Sequence, residues 1–350
     1  MSEFDTLIGL VSCYSPSGQE RGAVAWLVGR MKALGYGDAF TDEAGNAVGM
    51  IGDGPKQVVL LGHIDTVPGE IPVRREGRPP DQVLYGRGTV DAKGPLACFV
   101  DAAAQAGARE GWQFVVIGAV EEERDSEGAR FAAKQYKPDF AIIGEPNQWH
   151  RVALGYKGSA SAAITVSRGQ AHSASGAETA AEAAVDVWLK IKAYADTFNA
   201  DRQKMFDRLL PALRGIASAT KDFEQSARLN VGVRLPLEIS PEDWFETLCG
   251  LAVGASVEPA GFAIPAWRSE KNTPLVGCFL RSIRANGGEP HFVYKTGTAD
   301  VNIVAPEWGC PTLVYGPGDS SLDHTQNEHI ALEDYARSVA VLRSVLESLI

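Results

Sequence analysis

No Cys-x-x-Cys pair and no close grouping of cysteines occurs in this 350-residue chain. The five cysteines (Cys13, Cys98, Cys249, Cys278 and Cys310) are odd in number and widely spaced, which argues against a disulfide framework and against a thiolate zinc site. They read as thiols in a reducing cytoplasm. No apolar run is long enough for a membrane span, and the start, MSEFDTLIGLVSCYSPSG, lacks the basic region and apolar core of a signal peptide. Basic residues are scarce as well: 33 Lys and Arg stand against 44 Asp and Glu, a net charge of -11. That balance argues against nucleic acid or an anionic membrane as partner, since both require a basic face. Heptads, long charge runs and low-complexity tracts are missing, so neither a coiled coil nor a disordered scaffold is expected. What remains is globular material, 45% hydrophobic and 22% charged, in a length that suits two domains.

Periodicity divides the chain in two ways. Residues 20–34 carry Val24, Leu27, Val28, Met31 and Leu34 at helix spacing, and Gly35 ends them. QVVLLGH (57–63), WQFVVIGAV (112–120) and FAIIGEP (140–146) are short apolar runs that read as buried strands. Helical stretches at 92–106 and 126–136 lie between them. Strands alternating with helices predict an α/β domain with a mixed, mostly parallel sheet and helices on both faces. From SASAAITVS (159–167) the pattern changes to alternation of small or polar with apolar residues, repeated in RLNVGVRLP (228–236). With helices at 177–198 and from Pro241, and a strand candidate at 254–264, this stretch predicts a ferredoxin-like α+β module. The first pattern then returns with a helix at 274–285, strands at HFVYKT and PTLVYG, and a helix at 332–349. The expected organisation is a discontinuous domain, 1–153 and 266–350, interrupted by an inserted domain, 154–265.

His, Asp and Glu concentrate where predicted strands end, the place at which open α/β sheets bind ligands. His63 closes VVLLGH, and Asp65 lies on the same face two residues on, placed to fix the tautomer of a ligating imidazole. Asp91 sits in the glycine-rich turn YGRGTVDAKG, either as a carboxylate bridging two metals or as a helix N-terminal acid. Glu121, Glu122 and Glu123 end a strand together and repel one another unless a cation or solvent relieves them. Of neighbouring acids, one can ligate a metal while another serves as general base, and the residues alone leave open which. Glu145 follows AIIG, and His324 lies in GPGDSSLDHTQNE after another strand. Singly, each also reads as an ordinary loop or turn residue. Together, two His and several carboxylates suit a pair of divalent metal ions, with zinc the natural occupant and cobalt or manganese alternatives. Such a pair supports amide hydrolysis.

GHIDTVP, YGRGTVDAKG, EEE, GEP and HTQNE, in that order, resemble the co-catalytic zinc amidohydrolase family of acetylornithine deacetylase, succinyl-diaminopimelate desuccinylase and glutamate-type carboxypeptidases. The resemblance implies His63, Asp91, Glu123, Glu145 and His324 as metal ligands, with Asp91 as the bridge. It implies Glu122 as general base, preceding the ligand Glu123, and Asp65 as the group that orients His63. The inserted domain resembles the family's lid, which also forms the homodimer. His172 in GQAHSASG matches the family His that reaches the partner subunit's site and holds the oxyanion. Arg234 in VRLP resembles the family Arg that grips a substrate carboxylate. The lid departs from the family in lacking an Asn-x-Ile-Pro segment before that strand.

KTGTADVNI (295–303), the short chain and GPGDSSLDHT resemble the branch that releases lysine or ornithine from an amino-group carrier protein in lysine and arginine synthesis. That resemblance implies Thr296, Thr298, Asp300 and Asn302 at the amino-acid end of the pocket, with the Asp facing a side-chain ammonium. An acidic enzyme meeting an acidic carrier needs a local basic rim, for which Arg74, Arg75, Arg78, Lys157, Arg268 and Lys271 are candidates. The alternatives are an N-acetyl-lysine or N-acetyl-ornithine deacetylase, a dipeptidase or carboxypeptidase, and an inactive binding module.

Overall fold

The structure, a computed structural model, describes residues 3–349. In chain order its elements are α1 (Asp5–Val11), α2 (Arg21–Ala33), β1 (Asp38–Thr41), β2 (Ala47–Ile51), β3 (Lys56–His63), β4 (Arg74–Glu76), β5 (Val83–Tyr85), α3 (Lys93–Ala106), β6 (Trp112–Ala119), α4 (Glu127–Gln135), β7 (Phe140–Gly144) and β8 (Arg151–Tyr156). There follow β9 (Gly158–Gly169), α5 (Ala180–Asn199), β10 (Leu210–Lys221), β11 (Glu224–Leu235), α6 (Pro241–Leu251), β12 (Ala255–Pro259) and β13 (Trp267–Arg268). The last are α7 (Pro274–Ala285), β14 (His291–Lys295), α8 (Val301–Trp308), β15 (Thr312–Tyr315), β16 (His329–Ala331) and α9 (Leu332–Ser348).

The chain separates into two compact units. The first gathers residues up to Leu154, Ser269–Val293 and the chain from Ala299 onward, and the second holds Gly155–Arg268 and Tyr294–Thr298.

In the first unit the strands run β1-β2-β6-β3-β7-β15, and β6, β3, β7 and β15 are parallel neighbours. Their apolar runs are buried because helices cover both faces, as unbroken rather than alternating hydrophobicity requires. The Ala-rich α3 lies on this sheet and is itself covered by α1 and α9, so nearly all of it is buried. Glycine permits the close approach: a Cβ on Gly144, at the end of β7, would lie 3.0 Å from Phe99 of α3. A small antiparallel sheet, β16-β5-β4, stands apart from the main one.

Asp101 ties three helices of this unit together. Tyr335 of α9 donates to Asp101 Oδ2 at 2.7 Å, Thr6 of α1 donates to Oδ1, and Arg30 of α2 donates to the Thr6 hydroxyl at 2.9 Å. Burial pushes the Asp101 carboxyl up, and these donors oppose the rise. Tyr335→Phe strands one buried carboxylate oxygen, which costs about 1–2 kcal/mol. Thermal unfolding should therefore show a Tm lower by roughly 2–8 °C.

The second unit is a βαββαβ module with sheet order β10-β11-β9-β12, all antiparallel, which is the ferredoxin-like arrangement. Helices α5 and α6 each begin at a capping box, Thr179 with Glu182 and Ser240 with Asp243. They pack Ile191 and Trp244 into the apolar core beneath the sheet. Residues 294–298, which the sequence pattern places in the outer domain, group instead with this unit. The reason is local: the Tyr294 ring packs at a tilt against Phe206, and the Thr298 hydroxyl donates to Lys157 O at 2.8 Å.

Candidate metal centre

Four parallel strands deliver their carboxyl ends to one edge of the first unit's sheet. His63 is the last residue of β3 and is 1% exposed, with fully buried Asp65 just beyond. Glu121–Glu123 follow β6, Glu145 follows β7, and the loop after β15 leads to His324. Asp91 comes from the turn between β5 and α3.

These segments converge. His63 Nε2 lies 3.1 Å from Asp91 Oδ1. His324 Nε2 lies 3.0 Å from Asp91 Oδ2 and 2.9 Å from Glu123 Oε1. Asp91 thus turns one carboxylate oxygen toward each imidazole. Donor atoms of His63, Asp91 and Glu145 all fall within 4.8 Å of one another, as do those of Asp91, Glu123 and His324. Two triads sharing a carboxylate, with oxygen and imidazole donors and no thiolate, fit a pair of divalent metal ions.

The three consecutive acids diverge because Glu121 has a φ of +62°, which turns the chain sharply after β6. Glu121 pairs with Arg124 at 2.6 Å, away from the imidazoles. Glu123 faces His324. Glu122 belongs to neither triad. Burial pushes its carboxyl well up, against the pull of His63 and with Glu145, Asp300 and Glu123 adding to the rise. Glu145 is raised in the same way, first by burial and then by Asp91 and Asp300. For His63, burial disfavours the charged ring, but Asp65, Asp91 and Glu122 outweigh it and hold the imidazole well above its usual range. Hydrogen bonds to Asp91 and Glu123 raise His324 to about 10. The centre is therefore an excess of buried negative charge, which positive charge stabilises.

Asp65 organises more than the ring beside it. His63 Nδ1 faces the Asp65 carbonyl at 3.0 Å and its Oδ1 at 3.3 Å. The same carboxylate accepts the backbone N–H groups of Glu122 and Glu123, each at 3.1 Å, and the Ser17 hydroxyl at 2.6 Å. Its position thus fixes the imidazole and the two acids together.

Asp300 and Asn302, at the start of α8, also belong to this unit and are 1% and 2% exposed. Burial pushes the Asp300 carboxyl up to about 6. Asn302 Oδ1 accepts the Ala299 N–H at 3.1 Å, so part of its amide serves the local turn. The other candidates lie in the second unit. Arg234 donates to the Thr298 hydroxyl at 2.8 Å, while Thr296 is exposed. His172 is exposed, and its Nδ1 accepts the Ala174 N–H at 3.1 Å, which leaves Nε2–H as the free donor of the neutral ring. A cavity of about 550 Å³ beside it is lined by Glu178, Thr179 and Gln225. Lys157 is a correction to the basic rim. It is fully buried, with its ammonium donating to the carbonyls of Phe206, at 2.8 Å, and Arg208, and burial lowers it to about 8.

Sequence reasoning missed Ser17, Arg87 and Glu328. Glu328 ends the HTQNE motif, and its only signal was an acid immediately before a short apolar strand.

The pattern of peptidase family M20/M25/M40 matches residues 59–348. The chain is 42% identical over 348 residues to a Deinococcus radiodurans protein named [LysW]-lysine hydrolase, covering 97% of this chain and 95% of that one. It is 27% identical over 353 residues to a Saccharolobus islandicus [LysW]-lysine/[LysW]-ornithine hydrolase, covering 99% and 95%. In fold it is similar to an M20 family metallo-carboxypeptidase from Sulfolobus solfataricus, with a TM-score of 0.80, 17% identity and coverage of 100% and 99%. Among the described residues no helix is long and apolar enough to cross a membrane. With the two shared-carboxylate triads in place on an M20 scaffold, the chain belongs to peptidase family M20/M25/M40.

Proposed function

We propose that this protein is a cytoplasmic, zinc-dependent amide hydrolase that releases lysine or ornithine from an amino-group carrier protein. The observation that carries the reading is 42% identity, over nearly the whole of both chains, to a [LysW]-lysine hydrolase. In the scissile amide, the side-chain carboxyl of the carrier's terminal Glu is joined to the α-amino group of the amino acid.

His63, Asp91 and Glu145 would hold one zinc ion, and Asp91, Glu123 and His324 the other. Bound there, the pair would polarise the amide carbonyl and make water acidic enough to attack near neutral pH. Glu122 takes the proton from that water and returns it to the leaving amine. Its absence from both triads, next in sequence to Glu123, supports this role. Asp65 keeps His63 in the tautomer that ligates through Nε2. Arg234 receives the α-carboxylate of the amino acid, with Thr296 and Thr298 beside it, and Asp300 and Asn302 serve the side-chain ammonium. His172 offers Nε2–H to the oxyanion, in the site of the partner subunit of a homodimer. Val185, Leu189 and Ile216, exposed on α5 and β10 of the second unit, support an association through that unit.

Substrate class is tested by supplying zinc together with carrier-linked lysine, carrier-linked ornithine, N-acetyl-lysine or a simple dipeptide, and measuring the free amino acid. A carrier-linked substrate should give a kcat/KM at least tenfold above the other two. Faster hydrolysis of N-acetyl-lysine or the dipeptide would overturn the carrier reading, and no hydrolysis of any would leave a binding module.

A further inference from the structure

We propose that Glu328 is a positioning residue for the dinuclear centre: its carboxylate pins the peptide of the bridging Asp91 and joins the two loops that carry Asp91 and His324. The inference rests on the reading of the two triads as a metal site.

Glu328 is fully buried and lies four residues beyond His324. Its Oε1 accepts the backbone N–H groups of Val90 at 2.9 Å and of Asp91 itself at 3.1 Å. Its Oε2 accepts from Arg87 Nη1 at 2.7 Å. Arg87 in turn donates through Nε to Gly69 O at 2.9 Å, in the segment that leaves His63 and Asp65. The backbone repeats the connection. β16 pairs antiparallel with β5, placing His329 opposite Tyr85, and Gly86 N–H points to Glu328 O. The small sheet thus clamps the start of the Asp91 turn to the end of the His324 loop, with the Glu328 side chain inside the clamp. The turn has no slack, since a Cβ on Gly94 would lie 2.2 Å from Thr89 O.

A buried carboxylate needs several donors to be stable. That need alone does not explain why one donor is the peptide of the residue that would divide its two oxygens between two ions. A bridging carboxylate is sensitive to small rotations, because ions about 3.5–4 Å apart must each receive one oxygen. Groups that hold ligands in this way commonly change metal affinity 10- to 100-fold.

The test is a calorimetric titration of metal-stripped protein with zinc. Glu328→Ala is expected to bind zinc roughly 10- to 100-fold more weakly than the natural chain, with all five ligands intact. Glu328→Gln keeps one oxygen for the two peptide N–H groups but loses the pair with Arg87, and is expected to be weaker by about 3- to 10-fold. Tyr335→Phe serves as the stability control: it lowers Tm through the Asp101 contacts and should leave zinc affinity unchanged. Zinc affinity of Glu328→Ala within twofold of the natural chain, or a loss matched by Tyr335→Phe, overturns the proposal. Should Glu328→Ala fail to fold, Glu328→Gln decides, and unchanged zinc affinity in it overturns the proposal equally. A natural chain that takes up no zinc overturns the metal-site reading itself, a result distinct from either of these.

Discussion

Glu122→Gln is expected to fold normally, bind its metal ions as before and lose turnover by roughly 10²- to 10⁴-fold. Gln has the size and shape of Glu but cannot take up a proton at its amide oxygen under working conditions. Both triads exclude Glu122, so the donor set survives the change. Its backbone N–H remains on Asp65, so the turn that also presents Glu123 survives. The protein should not become less stable, because Gln keeps the size and shape of Glu122 and brings no new charge among the buried acids Glu145 and Asp300. Released lysine, zinc per chain and Tm are the three measurements. Undiminished turnover would move the base to another acid, and turnover lost together with zinc would make Glu122 a ligand.

Asp91→Ala should have the largest effect of any single change. It removes a member from each triad, leaving His63 with Glu145 and Glu123 with His324. Two protein donors hold zinc far more weakly than three, so both ions should be lost at once and hydrolysis should fall to background. His324→Ala breaks only the second triad and should retain one ion. Metal analysis after gel filtration separates these cases. If Asp91→Ala kept both ions, it would not be the bridge.

The clustering of the candidate ligands was legible in sequence because these residues sit where strands stop. VVLLG before His63, VVIGAV before the three acids and AIIG before Glu145 each announce a buried strand, and parallel strands share one carboxyl edge. Which of three adjacent acids faces the imidazoles was not legible from the residues, because the answer lies in the backbone turn at Glu121. Glu328 escaped notice because its burial comes from pairing between β16 and β5, more than 240 residues apart in the chain. β10 was missed because it is an exposed edge strand whose register shifts between Leu213 and Gly215, so no regular alternation marks it. α8 was missed because Pro306, inside a helix of only eight residues, looks like a break.

The Asp101 contacts have a consequence for the order in which the protein is made. Thr6 is synthesised long before Tyr335, yet both donate to the one carboxylate of Asp101. The first unit cannot close its core until α9 has been synthesised. The inserted unit, but for residues 294–298, is contiguous and is complete about 80 residues earlier. A nascent chain should therefore carry a folded second unit while Asp65, Asp91 and the acids after β6 still await the His324 loop, so the two triads assemble only after that unit has folded.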